Sequence, residues 1–359
     1  MSLVLKIANG TEVKKVDFFN NFEFEISFNK VASTFTFTFY HDPTNKDHQF
    51  IANSLFNRVT LEHTPANSPQ SKIKVLTGMI IARSFSERSE KQLMKLTGYS
   101  LPGQLEDNNI PQSAYPLESN GLSLQAIANK LIQDFDFDLV VDPELIDVVN
   151  QKFDKTTAEP TDTIKDYLHE LSKQKDIWLS HDQDGNLLMT KAKTGALPIA
   201  LFDLDTGTNQ GYSFDLTDNR QGMHRTITAI KQASTGKGNA GQSMVENIYV
   251  PDGVIRHKTV TQTSGDENDT ESVAKRERAN ELRGITLSVE LNNWDIDGEL
   301  ILPNNTIDVK SSELNLKKKA NFFIESVRYT GTETETVCSL MCVLPEVYNQ
   351  EEPTDIFEQ

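Results

Sequence analysis

Short stretches of this chain carry residue types that could do chemistry. Gly236-Lys-Gly-Asn-Ala-Gly241 spells G-x-G-x-x-G after a predicted strand, the pattern by which a backbone loop approaches a dinucleotide pyrophosphate. That chemistry needs a helix opening at the last glycine, so that its free amides face the phosphates. The following Gln242-Ser-Met-Val-Glu-Asn-Ile-Tyr-Val-Pro251 has β-branched character, no helical stripe and an early proline. A P-loop fails too, because Gly238 follows Lys237 where Ser or Thr is needed. The stretch reads as a loop between strands.

Asp182-Gln-Asp-Gly and Asp295-Ile-Asp-Gly298 each resemble the start of a calcium loop. An EF-hand needs Gly at its sixth position and Glu at its twelfth to close the coordination sphere. The first run has Leu187 and Lys193 there, the second Leu300 and Thr306, so both read as turns. His169-Glu170 starts H-E-x-x-H, but Lys173 stands where the second histidine belongs. The histidines at 41, 48, 63, 169, 181, 224 and 257 have no metal-ligand spacing, and no G-x-S-x-G elbow is present. Cys338 and Cys342 match neither the zinc-ribbon nor the thioredoxin spacing. On a strand they would share a face about 13 Å apart at ~3.3 Å per residue, too far to bridge. Two buried apolar thiols are expected. A glycosidase carboxylate pair has no distinguishing context among the 52 acidic residues. No catalytic, cofactor-binding or metal site is assigned, and no cofactor is expected.

The elements that would have to position any site are mostly strands. Phe22, Phe24, Ile26 and Phe28 alternate with polar residues, as do Phe35, Phe37 and Phe39. This period of two predicts strands with one buried and one wet face, paired as a hairpin across Asn29-Lys30. Val59–His63, Ile73–Phe85 and Gln92–Tyr99 continue the meander, and Gly78 inside it predicts a bulge or bend. Residues 1–100 are therefore expected to form a small β-barrel.

From residue 101 the texture changes. After the loop-like 101–116, Ser123 caps a predicted helix over Leu124–Phe135, followed by a strand at Phe137–Val141. A second helix is predicted from about Thr163 to Lys173, entered at Pro160 with Thr161 or Asp162 as candidate caps, then strands at Ile177–Ser180 and Leu187–Thr190. Residues 101–193 thus read as a small α/β insert. Residues 194–350 return to β, with extended segments at Tyr212–Leu216, Arg225–Lys231, Ile248–Val250, Lys258–Gln262, Ile285–Leu291, Leu300–Val309, Phe322–Tyr329 and Thr334–Val343. Ser234–Ser243 and Ser264–Asn268 are expected as loops. A charged helix over residues 270–283, with a thin apolar side of Val273, Ala274, Ala279 and Leu282, ends at Gly284. The tail from Glu346, and 351–359 in particular, is acidic and expected to be solvated.

Composition agrees with a folded, multi-domain chain. The 359 residues allow two or three domains at roughly 100–200 residues each. Thirty-five basic and 52 acidic side chains leave a net charge of −17, which disfavours stable nucleic-acid binding because counterion release would not reward it. No window reaches the ~18 apolar residues of a membrane helix, and the first residues lack the features of a secretory signal.

Two stretches carry a family resemblance. One is the junction Leu96-Thr-Gly-Tyr-Ser100, then Gly121-Leu-Ser-Leu-Gln-Ala-Ile-Ala-Asn-Lys-Leu131, then Phe137-Asp-Leu-Val-Val141. The other is Asp297-Gly-Glu-Leu-Ile-Leu-Pro-Asn-Asn305, Ile307-Asp-Val-Lys-Ser311, Phe323-Ile-Glu-Ser-Val-Arg-Tyr329 and Leu344-Pro-Glu-Val-Tyr348. In order and spacing these resemble the baseplate hub (tail) proteins of Mu-like contractile phages and prophages, which are similar in fold to the hub part of type VI secretion spike proteins. The stretch Gly298-Glu-Leu-Ile-Leu departs from the family in lacking an aromatic before Pro303.

The resemblance implies an α+β, mainly β protein with two related β-barrel domains, an inserted α/β domain and a peripheral helix. It implies a homotrimeric ring in the virion baseplate, made in the bacterial cytoplasm, that joins the tail tube to a membrane-piercing spike. DNA would pass through its channel without specific binding. No enzymatic activity and no stable membrane insertion are expected. The alternatives are a carbohydrate-binding or cell-wall-hydrolysing tail protein and a type VI secretion spike hub.

Overall fold

The computed structural model describes residues 2–65, 70–88, 91–207, 211–231, 241–262, 269–332 and 335–357. Strands β1 (Ser2–Asn9), β2 (Glu12–Val16), β3 (Asn21–Ser27) and β4 (Thr34–Tyr40) lead to helix α1 (Lys46–Ala52). Strands β5 (Arg58–Thr64), β6 (Ile73–Arg88) and β7 (Lys91–Ser100) follow. Next come the short α2 (Gln104–Asp107), α3 (Leu124–Ile132), β8 (Leu139–Val141), the short α4 (Ile146–Val149), α5 (Ile164–Gln174), β9 (Trp178–His181) and β10 (Leu187–Thr190). The chain continues through β11 (Ala200–Asp203), β12 (Gly211–Asp218), β13 (Thr226–Lys231), β14 (Gly241–Glu246), β15 (His257–Thr261) and α6 (Thr270–Glu281). It closes with β16 (Ile285–Leu291), β17 (Asp295–Ile296), β18 (Glu299–Leu300), β19 (Thr306–Ser311), β20 (Leu316–Thr332), β21 (Thr336–Val343) and α7 (Glu346–Asn349).

Two compact units result. The first comprises residues 1–191, 293–301 and 328–338, the second 192–292, 302–327 and 339–359. In the first, the strand order is β2-β1-β5-β6-β7-β4-β3, and β20 comes next. The alternation read from the sequence holds here. Phe24, Phe35, Phe37 and Phe39 are buried to 1% exposure or less, and Thr36 and Thr38 face outward between them. Each such phenylalanine contributes about 1.5–3 kcal/mol of hydrophobic stabilisation.

Strands β6 and β7 cross at two glycines that leave room for Phe35. Gly78 pairs regularly with Val59 and Ser100, and the register break lies just beyond it, between Ile80 and Ala82. The bulge expected at Gly78 is thus displaced along the strand. Gly78 supplies clearance instead: a Cβ there would press on the Tyr99 carbonyl and the Phe35 ring.

Residues 101–191 hold two helices against the three-stranded sheet β8-β10-β9, with β10 parallel to β8 and antiparallel to β9. The two helices repeat one pattern. Ser123 caps α3 through the Ala126 amide and Thr163 caps α5 through the Asp166 amide, 40 residues later. Buried positions 124, 127, 128, 131 and 132 recur at 164, 167, 168, 171 and 172, and strands follow at 139 and 178.

In the second unit the sheet runs β12-β16-β21-β20, with β19 on β20 and β11 parallel to β19. A separate sheet, β14-β13-β15, carries α6. The fold is mainly β and its large sheet is predominantly antiparallel, as expected. The closed barrels are not found as closed hydrogen-bonded rings: among the described residues β2, β11 and β12 each pair on one side only.

Other differences have local causes. Ile248–Val250 is a turn rather than a strand, held by the Asn247 side chain accepting from the Tyr249 amide. Leu300–Val309 divides into β18 and β19. The tail is docked rather than solvated. Pro353 and Ile356 are buried, Tyr249 Oη donates to the Thr354 carbonyl at 2.9 Å, and Arg278 Nη2 donates to the Glu351 carbonyl at 2.9 Å. The expected loop Ser234–Ser243 lies outside the described residues except for its last three, which belong to β14, and Ser264–Asn268 lies outside them entirely.

Candidate interaction surfaces

The polar clusters that could suggest chemistry are built into the scaffold. Asp182 Oδ1 accepts from the Asn186 amide and Oδ2 from the Asn186 side chain, closing the turn at Gly185, and Asp184 ion-pairs with Lys74. Asp297 and Gly298 both have positive φ and form the turn between β17 and β18. Asp295 is only 8% exposed and points at His63 rather than into solvent. No group of three or more His, Cys, Asp or Glu residues could hold a metal among the described residues. Cys338 and Cys342 are buried on β21 and form no disulfide among the described residues. Burial pushes the Cys342 thiol far above its ordinary range, which makes it inert. Of the dinucleotide-like loop, Gly236 to Ala240 lie outside the described residues, and Gly241 opens β14.

Two buried imidazoles brace the first unit. His63 on β5 is fully buried beside the Trp294 ring (centroids 5.2 Å apart), with Asp295 Oδ2 3.5 Å from Nε2. That distance is too long for a good hydrogen bond. His181 on β9 meets Ser33 Oγ at 2.6 Å through Nε2 and the Asp182 carbonyl at 3.0 Å through Nδ1, tying the α/β module to the β3–β4 loop. Burial lowers the pKa of both rings below the ordinary 6.5, outweighing the upward pull of Asp295 on His63 and of Asp182 on His181. The unfolded chain therefore binds protons first as pH falls below about 6.5, and stability falls with pH across that window. Urea midpoints measured at pH 7.5 and pH 5 are expected to drop on acidification. His63→Gln should shrink the drop, and an unchanged drop would refute the assignment.

In the second unit Glu281 is the node. It accepts from the His224 amide at 2.8 Å, from His224 Nδ1 at 2.7 Å and from Lys258 Nζ at 3.3 Å, and Lys258 also reaches Glu277 at 2.5 Å. These contacts pin α6 onto β13–β15. The thin apolar side of α6 is supplemented by Arg278, which is only 5% exposed and feeds three backbone carbonyls. Sequence reading missed Arg278, because a charged side chain inside a charged helix carries no burial signal.

What remains is surface. An open groove of about 400 Å³ on the first unit is lined by Asn21, Glu23, Thr36, Thr38, Lys95 and the Thr330–Thr332 and Glu335–Val337 region. Charge is unevenly spread. Residues 1–100 hold twelve basic and nine acidic side chains (net +3), 101–191 seven and seventeen (net −10), and 192–359 sixteen and twenty-six (net −10). Large apolar side chains stand exposed at Phe56, Leu197 and Ile255. Scattered apolar residues are ordinary, whereas those on an unpaired sheet edge are a liability in a free monomer.

Comparison with known proteins bears out the resemblance. Residues 107–191 match the family described as baseplate hub protein gp44-like, second domain. The 43 kDa tail protein of prophage MuSo2 from Shewanella oneidensis shares the fold, with TM-score 0.77 and 17% identity over 97% of this chain and 100% of that one. The tail protein from Neisseria meningitidis MC58 is equally similar, with TM-score 0.77 and 18% identity over 98% and 99%. An Escherichia coli component of the type VI secretion system, described as similar to the T4 tail proteins gp27 and gp5, gives TM-score 0.55 and 11% identity over 98% and 80%. No curated protein matches the sequence.

Proposed function

We propose that this chain is the baseplate hub of a contractile phage-like tail, a non-enzymatic trimer that joins the tail tube to the spike. The observation that carries this reading is the hub-type domain at 107–191, set in a chain whose whole length takes the fold of prophage tail proteins. In this reading the N-terminal segment 1–100, the insert 101–193 and the segment 194–350 are the working domains. The two β-rich portions act as paired lobes, so that three subunits present six lobes to a sixfold tube and three to a spike. The polar clusters fit a scaffold, since each is used up in bracing turns, helices or the tail. The acidic excess suits a passage along which DNA slides without being held.

Light scattering coupled to size exclusion tests the reading. The expected mass is about three times 40.4 kDa. A monomer at all concentrations and salt levels would count against the hub, as would turnover of cell-wall glycan by the purified chain.

A further inference from the structure

Two sheet edges stand out, one in each unit. Among the described residues, strand β2 pairs only with β1, and β11 pairs only with β19. Free edges in monomeric proteins are usually blunted by lysines, prolines or bulges. β2 carries Lys14, which ion-pairs with Asp47, and Lys15 as a single outward cation, whereas β11, Ala200-Leu-Phe-Asp203, carries no lysine, proline or bulge. It presents Leu201 at 59% exposure, and Leu197 just before it is 91% exposed. Such an edge reads as one that another strand covers.

The side chains of the two edges suit each other in one alignment. On β11, Phe202 is buried, so Leu201 and Asp203 share the opposite face. On β2, Val16 is buried, so Val13 and Lys15 share the opposite face. Side by side in parallel, Val13 meets Leu201 and Lys15 meets Asp203. Run antiparallel, Lys15 would meet Leu201 and Val13 would meet Asp203, which wastes both pairs. Lys15 is exposed and makes no ion pair among the described residues; Asp203 Oδ2 faces Lys310 Nζ at 3.3 Å, which leaves its Oδ1, without a hydrogen-bond donor, as the oxygen open to Lys15. The wider charges agree, net +3 for residues 1–100 and net −10 for 192–359.

We propose that β11 of one copy and β2 of a second copy join as neighbouring parallel strands, with Val13 beside Leu201 and Lys15 beside Asp203. The inference rests on the trimeric-hub reading and adds its contact surface. Because β2 and β11 are different surfaces, the contact is head-to-tail, and in the trimeric reading it recurs three times to close the ring.

The test uses the full chain carrying Val13→Cys and Leu201→Cys, treated under native conditions with a short bismaleimide. The native cysteines, at 0% exposure, should not react. Covalent dimers and trimers are expected from the double variant, dimers only from a mixture of the two single variants, and none from either single variant alone. Crosslinking of one single variant to itself overturns the proposal. No crosslink in the double variant, with a trimeric mass for the wild type, overturns the strand pairing and leaves the hub reading standing. No crosslink with a monomeric wild type overturns both. As a second measurement, Leu201→Arg should lower the trimer fraction while leaving thermal unfolding of the chain intact; an unchanged trimer fraction argues against the contact.

Discussion

Gly98→Ala is expected to destabilise the first unit by about 3 kcal/mol, at the upper end of typical overpacking costs. A methyl group on Gly98 would fall well inside van der Waals contact with both the Met79 carbonyl and the Phe35 ring. The ring could swing away, but the carbonyl belongs to the β6–β7 ladder and cannot move without breaking pairing. Gly98→Ala combined with Phe35→Leu should therefore remain destabilised. Gly195→Ala provides the contrast. Its added Cβ meets nothing within 4 Å, so the change should lie within about 0.5 kcal/mol of wild type. Denaturant titration of the three variants checks this, and near-equal midpoints for Gly98→Ala and Gly195→Ala would refute the packing argument.

Trp294→Ala is expected to cost about 3–5 kcal/mol, the range for removing a large buried aromatic. Trp294 is fully buried, and the rings of Phe22, Phe24, His63 and Tyr329 surround it at centroid distances of 5.1–5.5 Å. The tryptophan arrives on the short excursion 293–301, whose β17–β18 ladder is only two residues long on each side, so the ring anchors that excursion more than backbone pairing does. Its indole N–H has no acceptor among the described residues. Trp294→Phe should accordingly be much milder, below about 1.5 kcal/mol, because it keeps an aromatic and removes an unpaired donor. Equal losses for the alanine and phenylalanine variants in urea unfolding would show that the ring does not act through packing.

The parts of the fold that could be read from the sequence are those where local pattern and burial coincide. The Phe22–Phe28 and Phe35–Phe39 alternation, the Ser123 cap with the helix after it, the second helix and the two buried thiols appear where the letters place them, whereas the second helix takes its cap from Thr163 rather than from Thr161 or Asp162. Other signals in the sequence are equally local. Leu3, Leu5 and Ile7 alternate into the core of β1, and the helix–strand pattern repeats at an interval of 40 residues. The rest is tertiary. The burial of the tail depends on Tyr249, 105 residues before Thr354, and on Arg278, 73 before Glu351, and that of Asp295 on His63, 232 positions away. No local window contains such pairs. Whether a sheet closes depends on whether its last strand finds its first, which alternation within a strand does not encode.

The division of the chain between its two units has a consequence for inheritance. The backbone passes from one unit to the other five times; β20 gives Leu316–Val327 to one and its remaining residues to the other, and β21 is divided after Cys338. No single cut yields two halves that each keep their own strands. The run 101–191 is different: it is continuous, and its helices and sheet share one hydrophobic cluster. Recombination between related genes could exchange that run as a cassette, whereas the β framework would have to be transmitted whole.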